Sequence, residues 1–251
     1  MILIEWLFAA GVLAGTMNAV AGGGTFIALP ALAFAGLAPT IANASTTVAL
    51  FPGAVVSAWT LRRDIRDLDL ASRPILLLLS LSGGLAGALL LVFTPDRAFA
   101  QIIPWLLLLA TVTLVLGQRL SLGLRRLGLH FGRRSLLAAQ FTLGVYAGYF
   151  GGAVGLMMLA VWGLATTADL RTMTPLRVVM VAAANGAAVI CFVLAGNVRW
   201  RETLAVMAGG VVGGYLGARL AKQLPAPAVR ALILTVSVIT TAAFFWRAYR
   251  P

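Results

Sequence analysis

Acidic side chains are nearly missing from this chain: Asp and Glu together number 7 in 251 residues, against 19 Lys and Arg. Asp64, Asp67, Asp69, Asp96, Asp169 and Glu202 fall between apolar runs, and Glu5 lies near the N-terminus. A proton relay inside a membrane, or a cation filter built as an acidic ring, needs carboxylates where this chain has none. Histidine is as scarce, since His130 is the only one and sits in a basic loop. A hydrolase nucleophile would have no base beside it, and no His, Cys, Asp and Glu cluster offers metal ligands. The reading is therefore not an enzyme, with no metal and no other cofactor. Cys191 is the single cysteine and lies inside an apolar run, which excludes an intrachain disulfide.

What is present is grease. Hydrophobic residues make up 61% of the chain and charged ones 10%. Apolar stretches of roughly 20 residues, enough to cross a bilayer, recur from end to end, and no polar block could form a separate soluble domain. Residues 1–251 read as one membrane domain. The net charge of +12 does not indicate a nucleic-acid partner, because the arginines fall in short gaps between apolar runs, as topology signals and anionic-lipid contacts do. Residues 1–6 lack the basic region of a cleaved signal peptide, so the first apolar run reads as a retained membrane segment.

The fold class expected is all-α: a polytopic membrane protein with about eight transmembrane segments in two four-segment repeats. The units are 2–35, 42–61, 74–93, 99–118, 135–166, 176–195, 203–223 and 228–246. The first and fifth are too long for one span and carry matching glycine clusters, Gly11 to Gly24 and Gly144 to Gly155. Helix breaks are expected near 22–24 and 151–155. Backbone groups without partners are costly in lipid, so such breaks need a reason; matched breaks in two related halves are the sequence signature of a transporter's substrate site. A second echo pairs Gly83-Gly84-Leu85-Ala86-Gly87 with Gly213-Gly214-Tyr215-Leu216-Gly217, and these glycines read as helix contacts. Repeat one covers about 1–118, a basic loop 119–134, and repeat two about 135–251. With four spans per half, the repeat axis would lie along the membrane normal. Thirteen basic residues then fall in the loops after units 2, 4 and 6 and in the tail, which places 119–134 and both termini in the cytoplasm of a plasma (inner) membrane protein.

The polar groups inside the apolar units are uncharged or cationic. Asn18 precedes the first break, Gly22, Gly23 and Gly24 form it, and Thr25 follows; Asn43, Ser45 and Thr46 open unit 2 after Pro39. In the second half stand Gly151 and Gly155 at the break, Arg177 near the start of unit 6, and Asn185 about two turns on. Helix N-termini, amides, hydroxyls and one guanidinium are donors that suit a small oxyanion. The bland alternatives are that Ser45 and Thr46 cap a helix, that Asn18 and Asn185 bond between helices, and that Arg177 snorkels to the interface.

At these residues the chain resembles the sulfite exporter TauE/SafE family of membrane anion permeases. The likeness runs from Gly15-Thr-Met-Asn18 through Gly22-Gly23-Gly24-Thr25, Pro30, Pro39 and Asn43-Ala-Ser45-Thr46, and again from Gly144 through Gly151 and Gly155 to Asn185, Gly196-Asn197 and Trp200. It implies a two-repeat permease for sulfite, organosulfonates or related oxyanions, working by alternating access. Thr174-Pro-Leu-Arg177-Val178 departs from the family's Asn-Ala-Leu-Lys-Asn pattern, which keeps the cation and loses two amide donors. The missing carboxylates favour export, which an inside-negative potential drives without a coupled ion. An anion channel or a non-transporting scaffold subunit are the alternatives; the partners expected are the anion, the bilayer and, as an open case, a second copy of the chain.

Overall fold

The computed structural model describes residues 2–66, 68, 70–127, 131–220 and 226–249. His130 lies outside them. The described residues contain no strand and form ten α-helices. In order they are α1 (Ile2–Ala21), α2 (Thr25–Phe34), α3 (Pro39–Leu61), α4 (Arg73–Phe93), α5 (Asp96–Arg126), α6 (Arg133–Tyr149), α7 (Val154–Ala165), α8 (Leu170–Leu194), α9 (Trp200–Leu220) and α10 (Ala226–Tyr249), with one 3₁₀ turn, Arg62–Asp64, after α3. The chain is an all-helical polytopic membrane protein. Six helices among the described residues are long and apolar enough to cross a bilayer, while α2 and α7, at 10 and 12 residues, are half-length.

Each sequence unit corresponds to one helix, or to a helix and a half-helix at the two glycine clusters. The first break falls at 22–24 as expected. The second spans 150–153, so Gly155 already belongs to α7. α8 starts six residues before its expected unit because Asp169 caps it, its carboxylate accepting from the Thr172 N–H at 3.0 Å; bonds from Thr172 hold that carboxyl below its ordinary range. Arg177 is thus inside α8 rather than at its opening turn.

The halves interlock by exchanging partners, α1 lying along α9 and α6 along α4. Glycine makes this possible. A methyl on Gly209 or Gly213 would overlap the carbonyls of Phe8 or Val12, and one on Gly83 or Gly87 would meet those of Phe141 or Val145. Such close backbone approach replaces the hydrophobic drive that lipid cannot supply. These contacts also correct the repeat register. Phe8 and Phe141 stand 133 positions apart, and the glycines opposite them, Gly209 and Gly83, 126 apart. The structural counterpart of Gly83-Gly84-Leu-Ala-Gly87 is therefore Gly209-Gly210-Val-Val-Gly213, one helical turn before the motif that the sequence suggests.

The axis changes as well. α5 and α10 pair antiparallel: Tyr249 OH donates to Gln101 O and accepts from Trp105 Nε1, Trp105 stacks edge-on to Phe245, and Thr111 Oγ1 meets Thr241 Oγ1 at 3.1 Å. The threonines are 130 positions apart, equivalent in the two halves and touching, as residues beside a two-fold axis must. Equivalent helices running in opposite directions make an inverted repeat. The cause lies at the breaks, where the chain doubles back: Trp162 Nε1 on α7 donates to Gln140 Oε1 on α6, and Gly24 packs against Ala14 and Asn18 of α1. Each half thus has five directions of travel instead of four, and an odd number inverts the second half.

The faces follow. Phe131 N–H bonds Leu164 O at 2.9 Å and the 3₁₀ turn after α3 packs on α8, so the connections after α5 and α7 share one face with the end of α3. The opposite, terminal face gathers the ends of α2 and α10 (Arg247 over the Phe34 ring) and the starts of α3, α5 and α9, through Thr40 bonding Asp96 and Ser45 bonding the Arg199 N–H. Leucines, valines and isoleucines are exposed along the outside, with Trp6, Trp59, Trp105, Trp200 and Trp246 near helix ends, as an interfacial belt requires. Trp162 is the exception, fully buried on Gln140.

Candidate functional site

Between the two breaks lies a cavity of about 150 Å³, well below the roughly 300–1,000 Å³ of drug-sized pockets. A solute of a few heavy atoms fits. Asn18, Gly22 and Thr25 line it from the first break, Phe150, Gly151, Ala153, Val154, Gly155 and Leu156 from the second, Thr47, Leu50, Ala54 and Ser57 from α3, and Arg177, Val178, Val181 and Asn185 from α8. The α3 residues recur at three- and four-residue steps, as do Arg177, Val181 and Asn185 of α8 at four, the spacing of one helix face. Ser57, one turn from the end of α3, is exposed, so the cavity extends toward the face opposite the termini.

Unwound backbone shapes its floor. Gly22 and Gly151 have φ of 73° and 80°, where only glycine rests easily. Ala153 has φ 56°, the single non-glycine residue with positive φ among those described, and that conformation costs about 1–2 kcal/mol. Strain of this sort gathers at ligand sites. Tyr146 OH donates to Gly152 O at 2.9 Å and pins the second break. The first backbone bond into α7 runs from the Leu156 N–H to Ala153 O, so the N–H groups before it point, unused, along the helix axis.

Against this N-terminus lies Arg177, the one cation among the described residues that line the cavity. A methyl on Gly155 would stand 2.9 Å from Arg177 Nη1 and 3.4 Å from its Cδ and Cζ; only the missing side chain lets the guanidinium rest there. Arg177 Nε is buried without a partner, and no carboxylate among the described residues lines the cavity. A helix N-terminus carries about half a positive charge. Placing a guanidinium beside it in a low-dielectric interior sets like against like. The arrangement becomes favourable when an anion enters between them.

Of the sequence-predicted site residues, the cavity brings together Asn18, Gly22, Thr25, Gly151, Gly155, Arg177 and Asn185. Gly23 and Gly24 instead pack toward α1, on Met17 and on Ala14 with Asn18. Asn43, Ser45 and Thr46 lie below the cavity, all buried. Asn43 Nδ2 donates to Tyr149 O at 3.0 Å, Ser45 Oγ accepts from the Arg199 N–H, and Thr46 Oγ1 donates to Ala42 O. Sequence reasoning missed Thr47, Ser57, Phe150 and Ala153. Helical spacing from Thr47 was the available signal for Ser57; nothing marked Ala153. An outer groove of about 490 Å³ at Ile4, Glu5 and Arg201 is shallow and lies far along α1 from the breaks.

The family model described as "Sulfite exporter TauE/SafE" matches residues 7–244. A "Probable membrane transporter protein YfcA" of Escherichia coli K12 is 26% identical over 96% of this chain and 89% of its own length. A "Probable membrane transporter protein" of Haemophilus influenzae is 28% identical over 96% of this chain and 93% of its own, and "ORF9" of a Sinorhizobium species, likewise a "Probable membrane transporter protein", is 27% identical over 94% and 90%. No solved structure matches significantly.

Proposed function

The chain belongs to the sulfite exporter TauE/SafE family of membrane transporters, and from that premise we propose that it carries small oxyanions, sulfite or related sulfur-containing species, by alternating access. The observation that carries this reading is the Arg177 guanidinium laid over Gly155 at the start of α7, with no carboxylate among the described residues in the cavity. Arg177 and the α7 N–H groups would take the negative oxygens, and the Asn18 and Thr25 side chains complete the donor set. A guanidinium can grip an oxyanion through two parallel bonds, which an ammonium cannot.

Orientation is part of the proposal. Among the described residues Arg62, Arg63, Arg66, Arg73, Arg119, Arg125, Arg126, Arg133, Arg134, Arg171, Arg219 and Arg230 flank the face away from the termini; Arg97, Arg199, Arg201 and Arg247 flank the terminal face. By the positive-inside rule the first face is cytoplasmic, which puts both termini outside. This reverses the orientation inferred from eight simple spans, because that count missed the two reversals at the breaks. The cavity then faces the cytoplasm, where an exporter loads. An inside-negative potential drives an anion outward by about 2.3 kcal/mol per charge per 100 mV, so no coupled ion is needed.

The test is sulfite flux from proteoliposomes. Removing a charge partner from a desolvated site costs about 2–5 kcal/mol, so Arg177→Gln should lose at least about 30-fold in flux. Wild-type rates in that variant would end this assignment.

A further inference from the structure

The cavity also holds an acceptor with nothing to accept. Asn185 Oδ1 is buried without a hydrogen-bond partner, and it faces the second break, 4.0 Å from where a side chain on Gly151 would begin. Asn185 and Arg177 share the cavity-facing side of α8, and the two backbone positions they approach, Gly151 and Gly155, are four residues apart. A site for a bare oxyanion needs donors only. Sulfite or sulfate would fill Arg177 and the α7 N-terminus, yet turn lone pairs toward the Asn185 carbonyl oxygen, leaving it unpaired or repelled. An unpaired buried acceptor is costly, and a site built around one discriminates strongly against solutes that cannot donate to it.

We infer that the cavity prefers monoanions carrying their own O–H or N–H donor, with the anionic group on Arg177 and the start of α7 and the donor on Asn185 Oδ1. This deepens the permease reading and rests on it. The preferred class is therefore a short hydroxylated sulfonate or a protonated oxyanion, over the fully ionised inorganic form.

Two probes of equal charge and heavy-atom count separate the ideas: 2-hydroxyethanesulfonate, which has the donor, and 1-propanesulfonate, in which a methyl replaces the hydroxyl. Titration of the purified full chain should show about tenfold tighter binding of the hydroxylated anion. Asn185→Leu, similar in size, should bring the ratio to less than about twofold, and Arg177→Gln should weaken both. Equal wild-type affinities overturn the inference without any variant, and if Arg177→Gln still abolishes both, the anion site itself survives. A ratio unchanged in Asn185→Leu also overturns it, as does a sodium requirement that Asn185→Leu removes, which would make the oxygen a cation ligand. Binding of neither probe defeats the anion reading and the inference together.

Discussion

Gly155→Ala separates transport from stability, because the two respond with opposite sign. The added methyl would stand 2.9 Å from Arg177 Nη1 and 3.4 Å from Cδ and Cζ, whereas carbon contacts are relaxed at about 3.5–4.0 Å. The obstructing atoms are the far end of a flexible side chain, so the guanidinium withdraws by about 0.5–1 Å and the backbone stays. Helix α7 gains up to about 1 kcal/mol from replacing glycine. The anion loses the alignment of one charge-assisted hydrogen bond, about 1.5 kcal/mol or tenfold in affinity; if the reacting geometry is as strict as in enzymes, a 1 Å displacement reaches about 100-fold. Sulfite flux in proteoliposomes and thermal unfolding with and without sulfite measure both sides. The expected result is a transport defect in a protein at least as stable as wild type. In the Arg177→Gln background the same methyl should have little further effect, since coupled residues are not additive. Normal flux in Gly155→Ala, or full additivity of the two changes, refutes the placement of the guanidinium at the α7 N-terminus.

The backbone of the second break makes a paired prediction: Gly151→Ala, at φ 80°, should lower stability by about 1–2 kcal/mol, while Ala153→Gly, at φ 56°, should raise it by up to about 1 kcal/mol, both read by thermal unfolding. At the α1–α9 contact, Gly213→Leu drives a side chain into the Val12 carbonyl and should abolish folded protein on size-exclusion chromatography, whereas Gly214→Leu, with nothing within 4 Å, should elute as wild type. For orientation, in a Cys191→Ser background, a membrane-impermeant maleimide added to whole cells should label Ala195→Cys and spare Ser72→Cys; the reverse pattern puts the termini inside.

Apart from the end of α5 and the start of α8, element boundaries were legible to within a few residues because lipid imposes length, and glycine runs mark where a helix can stop inside it. Topology was harder. Whether Gly22-Gly23-Gly24 interrupts a span or reverses it depends on Gly24 folding back onto Ala14 and Asn18, a contact between residues whose identities suit either outcome. The register of the second motif failed for a related reason: Gly209, Gly210, Gly213, Gly214 and Gly217 offer two overlapping copies of one spacing, and only the carbonyls of Phe8 and Val12 choose between them. Arg177 and Asn185 were recognisable as unusual polar groups in an apolar run. Their relation to Gly155 and Gly151 was not, since helix α7 meets them only after the chain has turned back.

The inverted repeat gives a role to the polar residues outside the cavity. Thr40 to Asp96, Asn43 to Tyr149 O and Ser45 to the Arg199 N–H all lie between the cavity and the terminal face, and each ties α3 to a different element. Together they hold the near half of α3 shut while its far half, at Thr47, Ala54 and Ser57, lines the open cavity. Exchanging the conformations of two inverted halves would open the shut side and close the open one. For that, Asn43 must release Tyr149, the last residue of α6, which is also the residue before the break that carries Gly151. The bond sealing the terminal face and the backbone lining the floor of the cavity are thus adjacent in the chain. A substrate that shifts the break can reach the seal through one peptide unit, without a relay across the bundle.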